Sequence, residues 1–475
     1  MPTTGSIKIF PGPSDGPFSR MWTAGYRSRI KKETETGKVG YYKVNLFDYD
    51  VDVELTSTTR CGYFRLTYPE TDQANFLFNL NFEYEENEPE MLGAFIKQVS
   101  DTEVEGYVRK KSSFADHYTV HFVARFSKPI KKFQTWQSAP FEGNNLYGTA
   151  WQRKTNFYDA IDDELQGYCG AYCQFSTKEN EQVEIQTAIS LVSIDQARLN
   201  LETEMNPFDW DFDAVVKNNQ KTWNGLLSKI EVEGGRESDK IKFYTSLYRA
   251  YAGRTEWSDV NGKYMDMYEQ PQQLEAPREA IYGCDAFWGS QWNLNPLWTL
   301  MTPKYANSWV NSLLEIYERG GWLPKGPSGI EYTSVMVASH EISLIVSAYM
   351  KGIRDFDINT AWEAMKHVQT TPGQKHEAGG HVGNRNLKSY MEIGYVPNDE
   401  GPVSNTMEYA YDDWCVSQMA KALGKDDDYD YFYNRSMNYK NVFDPKSKYI
   451  RQKNRDGSWV QEWHPRKNHG TWYGA

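Results

Sequence analysis

The sequence predicts an antiparallel β-sandwich that passes through a short helical linker into an all-helical region. Three observations carry this expectation. Apolar residues alternate with period two over the first two hundred residues, a helical period appears only after NPFDWDFD, and the later helices end on glycine stops. At 475 residues the chain exceeds the roughly 250–300 residues at which one hydrophobic core stops growing, so two domains are expected.

Residues 1–205 read as the sandwich. HYTVHFVARF sets Tyr118, Val120, Phe122, Ala124 and Phe126 on one face, and YFRLTY does the same with Phe64, Leu66 and Tyr68. Turn signals such as PGPSDG and FEGNN separate such runs. Residues 206–236 read as the linker, with a helix from Phe212 to about Leu227 followed by a short strand, IEVEGG. Residues 237–475 read as helical. SWVNSLLEIYERGG aligns Trp309, Leu313, Ile316 and Tyr317 and stops at paired glycines, while HEISLIVSAYMKG aligns Ile342, Ile345, Val346 and Tyr349 and stops at Gly352. Asn261-Gly262 in WSDVNGKYMDMY predicts one hairpin. A β-sandwich joined to a helical domain occurs in sugar-processing enzymes whose second domain is an (α/α) barrel, an analogy that does not itself establish function.

Composition narrows the classes. A net charge of −12 leaves no basic face for nucleic acid, and no apolar run approaches the about 18 residues of a membrane span. The chain is acidic and aromatic, with 16 Trp and 33 Tyr. Flat rings stack on the C–H faces of sugars while carboxylates accept hydrogen bonds from hydroxyls; the competing reading is that aromatic residues fill large cores. Cys61, Cys169, Cys173, Cys284 and Cys415 have irregular spacing and read as buried thiols. The first residues, MPTTGSIKIFPGPSDG, lack the basic and apolar regions of a signal peptide.

Phosphate-cradling glycine motifs are absent. His340-Glu341 begins like a zincin, but Leu344 stands where the second histidine is needed, and the segment from Gly326 to Gly329 is one residue short of a nucleophile elbow. What remains are carboxylates and tryptophans in loops and at helix starts: Asp285, Trp288 and Trp292; Trp322, Lys325, Glu331 and Tyr332; His340 and Glu341; Glu408, Asp412 and Asp413; Asp456, Trp459 and Glu462. Ordinary readings stand beside these. Asn405 and Glu408 have the spacing of a capping box, His340 reads as a satisfied helix-start histidine, and Trp288 and Trp292 read equally as core. One feature resists them. Glu408 and Asp412 stand four apart on one helical face, where like charges cost stability, so either they meet a partner or ligand or the chain tolerates a small penalty. Glycoside hydrolysis asks for converging carboxyl groups, one protonating the leaving oxygen and one activating water or attacking carbon.

Several stretches, in order, resemble glycoside hydrolase family 92, the calcium-dependent exo-acting α-mannosidases. They are FYTSLYRAY, SDVNGKY, YGCDAFWGSQWNLNPLWTL, YERGGWLPKGPSGIEY, VMVASHEISLIVSAYMKGIRDFD, GYVP, SNTMEYAYDDWCVSQMAKALGK, NVFDP and DGSW. The N-terminal part is similar to that family's sandwich domain through GYRSRI, GYYKVNLFDYDVDVELTSTTRCGYFRLTYPE and SLVSIDQARLNLETE. The resemblance implies an N-terminal antiparallel β-sandwich, a helical linker and an incomplete (α/α)6 barrel. It matches Asp285 to a loop aspartate that contacts mannose, and the Glu408, Asp412 and Asp413 helix to one near the active centre. Asp285, Trp288, Glu331, Glu408, Asp412 and Asp413 are therefore the expected substrate-binding residues. DAFWGSQWNLNP departs from the shorter family loop bearing Arg and His, which bears on linkage preference.

By the same resemblance the general acid, the general base and the calcium ligands fall beyond Ala475. The chain then reads as a fragment lacking both ends and inactive alone, and no residue in it is assigned as catalytic or metal-binding. The expected activity is hydrolysis of terminal α-linked mannose, α-1,2-linked in N-glycans or mannans, by an inverting mechanism assisted by Ca2+. The expected partners are oligosaccharide or glycoprotein glycans, with no nucleic acid and no membrane span, and the expected location is secreted or periplasmic. Two alternatives stay open: a non-catalytic mannoside-binding protein, and another (α/α)-barrel glycosidase or phosphorylase.

Overall fold

A computed structural model describes residues 28–80, 90–111, 118–138, 155–158, 168–283, 287–326, 332–333, 336–461 and 463–465. Asp285, Glu331, Cys284 and Glu462 lie outside them. The chain divides into two compact units, the first running to Tyr244 and taking in Asp259–Asn261, the second comprising Thr245–Ser258 and Gly262 onward.

The first unit is antiparallel β. Its strands are β1 (Ile30–Lys38), β2 (Tyr41–Leu46), β3 (Val51–Ser57), β4 (Cys61–Tyr68), β5 (Thr71–Asn79), β6 (Glu90–Ser100), β7 (Glu103–Lys111), β8 (Tyr118–Phe126), β9 (Lys132–Ser138), β10 (Thr155–Tyr158), β11 (Tyr168–Thr177) and β12 (Glu181–Ser190). One sheet has the order β1-β2-β3-β4-β12-β8-β7-β6, the other β10-β9-β11-β5. Leu66, Tyr68, Ala124, Phe126, Val183 and Ile185 of the larger sheet bury against Cys169, Ala171, Cys173 and Phe175 of the smaller one. This is the face that period-two alternation predicts. The opposite face is also covered, because Cys61, Tyr63, Val123 and Ala188 pack on helices α1 (Ile194–Met205) and α2 (Phe212–Leu227). Helix α2 starts where Asp211 accepts a hydrogen bond from the Ala214 amide, satisfying one orphan donor of the first turn.

Two local expectations fail in this region. The segment IEVEGG joins no strand among the described residues. Asn261-Gly262 does turn, with Gly262 at φ +78°, but Lys263–Met265 pairs with Pro271–Gln273 rather than with the residues before the turn.

The second unit is helical: α3 (Glu237–Tyr251, which begins in the first unit), α4 (Phe287–Ser290), α5 (Leu294–Met301), α6 (Pro303–Gly320), α7 (Glu341–Met350), α8 (Ile358–Thr370), α9 (Leu387–Ile393), α10 (Ser404–Ala422) and α11 (Asp426–Ser436). An antiparallel β-rich unit followed by a helical one is the fold class the sequence predicts. Helix α6 ends as expected, with Gly321 at φ +75° and its amide bonded to the Tyr317 carbonyl. Gly320 is required for another reason: a Cβ there would collide with the Tyr332 hydroxyl. Trp298 and Trp309 meet edge to face at 4.8 Å in the core between α5 and α6, with the Arg254 guanidinium over both rings. Helix α7 is buried on every side from Glu341 to Val346. No helix among the described residues is long and apolar enough to cross a membrane. Cys61, Cys169, Cys173 and Cys415 are buried free thiols.

Candidate carboxylate–imidazole site

The site lies where the start of α7 meets α10. Immediately before α7 the chain turns at Ala338, whose φ of +40° is a strained value for a residue with a Cβ. The turn presents the Ser339 amide and the His340 ring to α10. Ser339 donates its backbone N–H to Asp412 Oδ2 at 2.9 Å, and His340 Nδ1 lies 2.7 Å from Asp412 Oδ1. The other ring nitrogen, His340 Nε2, lies 2.6 Å from Glu408 Oε2. Trp288 of α4 donates its indole N–H to Glu408 Oε1 at 3.4 Å. One imidazole thus bridges two carboxylates a helical turn apart.

That bridge answers the like-charge problem. Burial alone would strip the His340 proton, but the charges and hydrogen bonds of Asp412 and Glu408 more than reverse this and raise its pKa to about 10. Asp412 is fully buried, whereas the Glu408 side chain keeps 19% exposure. Glu408 is therefore the member of the trio that a ligand can reach. Beside it on α10 the Tyr411 ring meets His340 at 5.9 Å and stacks on Trp414 at 6.3 Å, both rings partly exposed.

Asp413 belongs to a different network. Tyr390 donates its hydroxyl to Asp413 Oδ2 at 2.8 Å and Arg435 Nε donates to the same oxygen at 3.0 Å. Burial pushes the Asp413 carboxyl up to about 7 against the pull of Arg435.

Behind His340 sits a second group of buried ionisable side chains. Glu341 is fully buried, and neither carboxylate oxygen finds a hydrogen-bond partner among the described residues. Burial, reinforced by the Asp412 charge, holds its pKa well above the usual carboxylate range, which favours the neutral form. Lys325 is also buried, and donates from Nζ to the Gly383 carbonyl at 2.8 Å. Burial and the nearby Arg385 lower its pKa to about 7.

Of the expected substrate-binding residues, Trp288, Glu408 and Asp412 come together, Asp413 faces Arg435, and Asp285 and Glu331 lie outside the described residues. The capping box is not formed: α10 begins at Ser404 without a side-chain cap, Glu408 is drawn to His340, and Asn405 donates to Asn386. Trp292 is 80% exposed, Trp322 and Tyr332 are core, and Asp456 caps its own turn through Ser458. His340 is a satisfied helix-start histidine, as its position predicts, but the groups satisfying it are the two carboxylates. Arg435 carried no sequence signal of its own. Among the described residues no group of three or more His, Cys, Asp or Glu could hold a metal ion. Glu408, Asp412 and Asp413 already face cationic side chains, a donor set that does not suit a hard cation.

A model of the glycosyl hydrolase family 92 N-terminal domain matches residues 1–190, and one of the family 92 catalytic domain matches residues 196–474. A solved family GH92 α-mannosidase from Bacteroides thetaiotaomicron, in complex with mannoimidazole, is similar with a TM-score of 0.83 and 30% identity, covering 97% of this chain and 57% of that one. A family GH92 inverting mannosidase from the same species is similar in fold, with a TM-score of 0.76 and 24% identity over 96% of this chain and 57% of that one. A curated protein described as an uncharacterized secreted glycosidase from Arthroderma benhamiae is 28% identical over 318 residues, 64% of this chain and 36% of that protein. The chain thus spans a little over half the length of these solved relatives and about a third of the curated one.

Proposed function

The chain belongs to glycosyl hydrolase family 92, and from that premise we propose that the whole protein is an exo-acting α-mannosidase with Glu408 as a sugar-binding carboxylate. The observation that supports Glu408 in this role is its position: partly exposed, beside the Trp288 indole, and oriented from behind by His340. A carboxylate fixed beside an aromatic ring suits a pyranoside, whose hydroxyl donates to the oxygen while its C–H face meets the ring. Asp412 acts in this reading through His340. The substrate proposed is terminal α-1,2-linked mannose of N-glycans or mannans, and the location secreted or periplasmic, a reading that the description of the Arthroderma relative favours.

The reaction proposed is inverting hydrolysis, which needs an acid and a base with carboxyl groups about 6.5–9.5 Å apart. Neither role is proposed for a described residue. Asp412 and Asp413 are sealed in ion pairs, Glu341 is fully buried with its pKa raised, and Glu408 is bound to His340. Calcium is proposed for the whole protein on family grounds, without a ligand among the described residues. When bound to sugar hydroxyls, such a cation supplies electrostatic stabilisation.

Whole protein incubated with α-mannosides, with and without a chelator, tests this. Mannose released as the β-anomer, and lost on chelation, is the expected result. Binding without turnover would replace the enzyme by a mannoside-binding protein, and undiminished turnover under chelation would remove calcium from the proposal.

A further inference from the structure

The two contacts of His340 impose a proton count. Nε2 stands 2.6 Å from Glu408 Oε2 and Nδ1 stands 2.7 Å from Asp412 Oδ1, and each contact is a hydrogen bond only if a proton lies in it. A neutral imidazole has one N–H, so between two ionised carboxylates it would set a nitrogen lone pair against a carboxylate oxygen. His340 and Asp412 are 1% and 0% exposed, too deep for water to relieve that repulsion cheaply. The extra proton must sit on a carboxyl or on the ring. Asp412 already receives the Ser339 amide on its other oxygen, and Glu408 receives the Trp288 indole; both bonds favour the ionised form. The ring is left as the proton's place.

We propose that His340 is a positioning residue that works as an imidazolium, locking the Glu408 carboxylate in the orientation from which Oε1 accepts a sugar hydroxyl. The inference rests on Glu408 being a sugar-binding group and adds what holds it in place. Asp412 anchors the ring from behind, and the Ser339 amide anchors Asp412. The other ionisable groups nearby do not disturb the arrangement. Burial raises the pKa of Glu341, the next residue on α7, and so favours its neutral form; Lys325 is buried with its pKa lowered; the Tyr411 ring meets the imidazole edge to face. Deprotonation of His340 breaks one of its two bonds, and because Asp412 pairs with no other cation among the described residues while Glu408 reaches solvent, the bond to Glu408 is the one released. Mannoside affinity then falls on the alkaline side.

Side-chain nitrogen NMR of the whole protein, with assignment by a His340→Gln variant, reads the charge directly, and steady-state kinetics with an α-mannoside reads the consequence. Both His340 nitrogens are expected to carry protons through pH 8. The variant, which cannot donate to both carboxylates, is expected to raise KM roughly ten- to hundredfold with little change in kcat, the loss of about one charged hydrogen bond. It should also lose the alkaline rise in KM that is expected of the wild type. A single protonated nitrogen at pH 7 overturns the imidazolium without needing the variant to fold. An imidazolium whose replacement leaves KM unchanged in a folded variant overturns the positioning role. A wild-type protein with no affinity for mannosides overturns the reading of Glu408 and the positioning role with it, whatever the charge on His340.

Discussion

Asp412 and Asp413 are consecutive residues, both fully buried, and each is bound by a different cation. His340 Nδ1 lies 2.7 Å from Asp412, and Arg435 Nη2 lies 3.0 Å from Asp413. Successive residues on a helix point about a hundred degrees apart, so one pair of acids serves two networks. Asp412 faces the candidate site, and Asp413 ties α10 to α11 and, through Tyr390, to α9.

The Asp413 network is structural. Replacing Asp413 by Ala leaves the Arg435 guanidinium buried without its counter-charge, and removing one partner of such a pair costs about 3–5 kcal/mol. Chemical denaturation of Asp413→Ala should show that loss. A double Asp413→Leu, Arg435→Met variant should recover much of it, since no buried charge is then left unpaired.

The pH dependence of stability has a predictable sign at His340. Its folded-state pKa is raised to about 10 from an ordinary 6.5, so the imidazolium contributes stability that is fully present below 6.5 and is lost as pH rises toward 10. In the difference between wild type and His340→Gln, the denaturation free energy should decline across this window, with a slope of up to about 1.4 kcal/mol per pH unit. A difference that stays constant from pH 6 to 9 would contradict the assignment.

Glu341 should behave as a neutral acid. Its folded pKa is also raised, so its contribution is fully present below the ordinary carboxylate value and is lost as pH climbs above it. Glu341→Gln, which fixes the neutral form, should therefore gain on the wild type as pH rises from 5 to 8, as thermal melts at the two pH values would show. An equal pH profile for the two proteins would mean that Glu341 ionises as an ordinary carboxylate.

Much of the architecture was legible because it rests on local signals. Helix α2 runs from Phe212 to Leu227 as its pattern suggests, with Asp211 capping it, and the Gly321 stop of α6 needs only the left-handed conformation that glycine favours. The misreadings arise where a local signal did not fix its partner. Asn261-Gly262 specified a reversal but not which strands would pair across it. Glu408 had the spacing of a capping residue, yet a buried imidazolium binds a carboxylate more strongly than a solvated helix amide does. At the site, the two acids four apart in the sequence did point to a partner or ligand, without saying which. That the partner is His340 was not legible, because 68 residues separate it from Glu408. Arg435 lies on another helix, with no motif to link it to Asp413.

The most direct test of the account is the affinity of the whole protein for mannoimidazole, measured by calorimetry for the wild type and for Glu408→Gln. The amide keeps the shape of the side chain but loses the charge that holds His340 and accepts a sugar hydroxyl. The expected result is a folded variant that binds roughly ten- to hundredfold more weakly than the wild type, about the strength of one charged hydrogen bond. Equal affinity in the two folded proteins would contradict the claim that Glu408 is the sugar-binding end of the carboxylate–imidazole site.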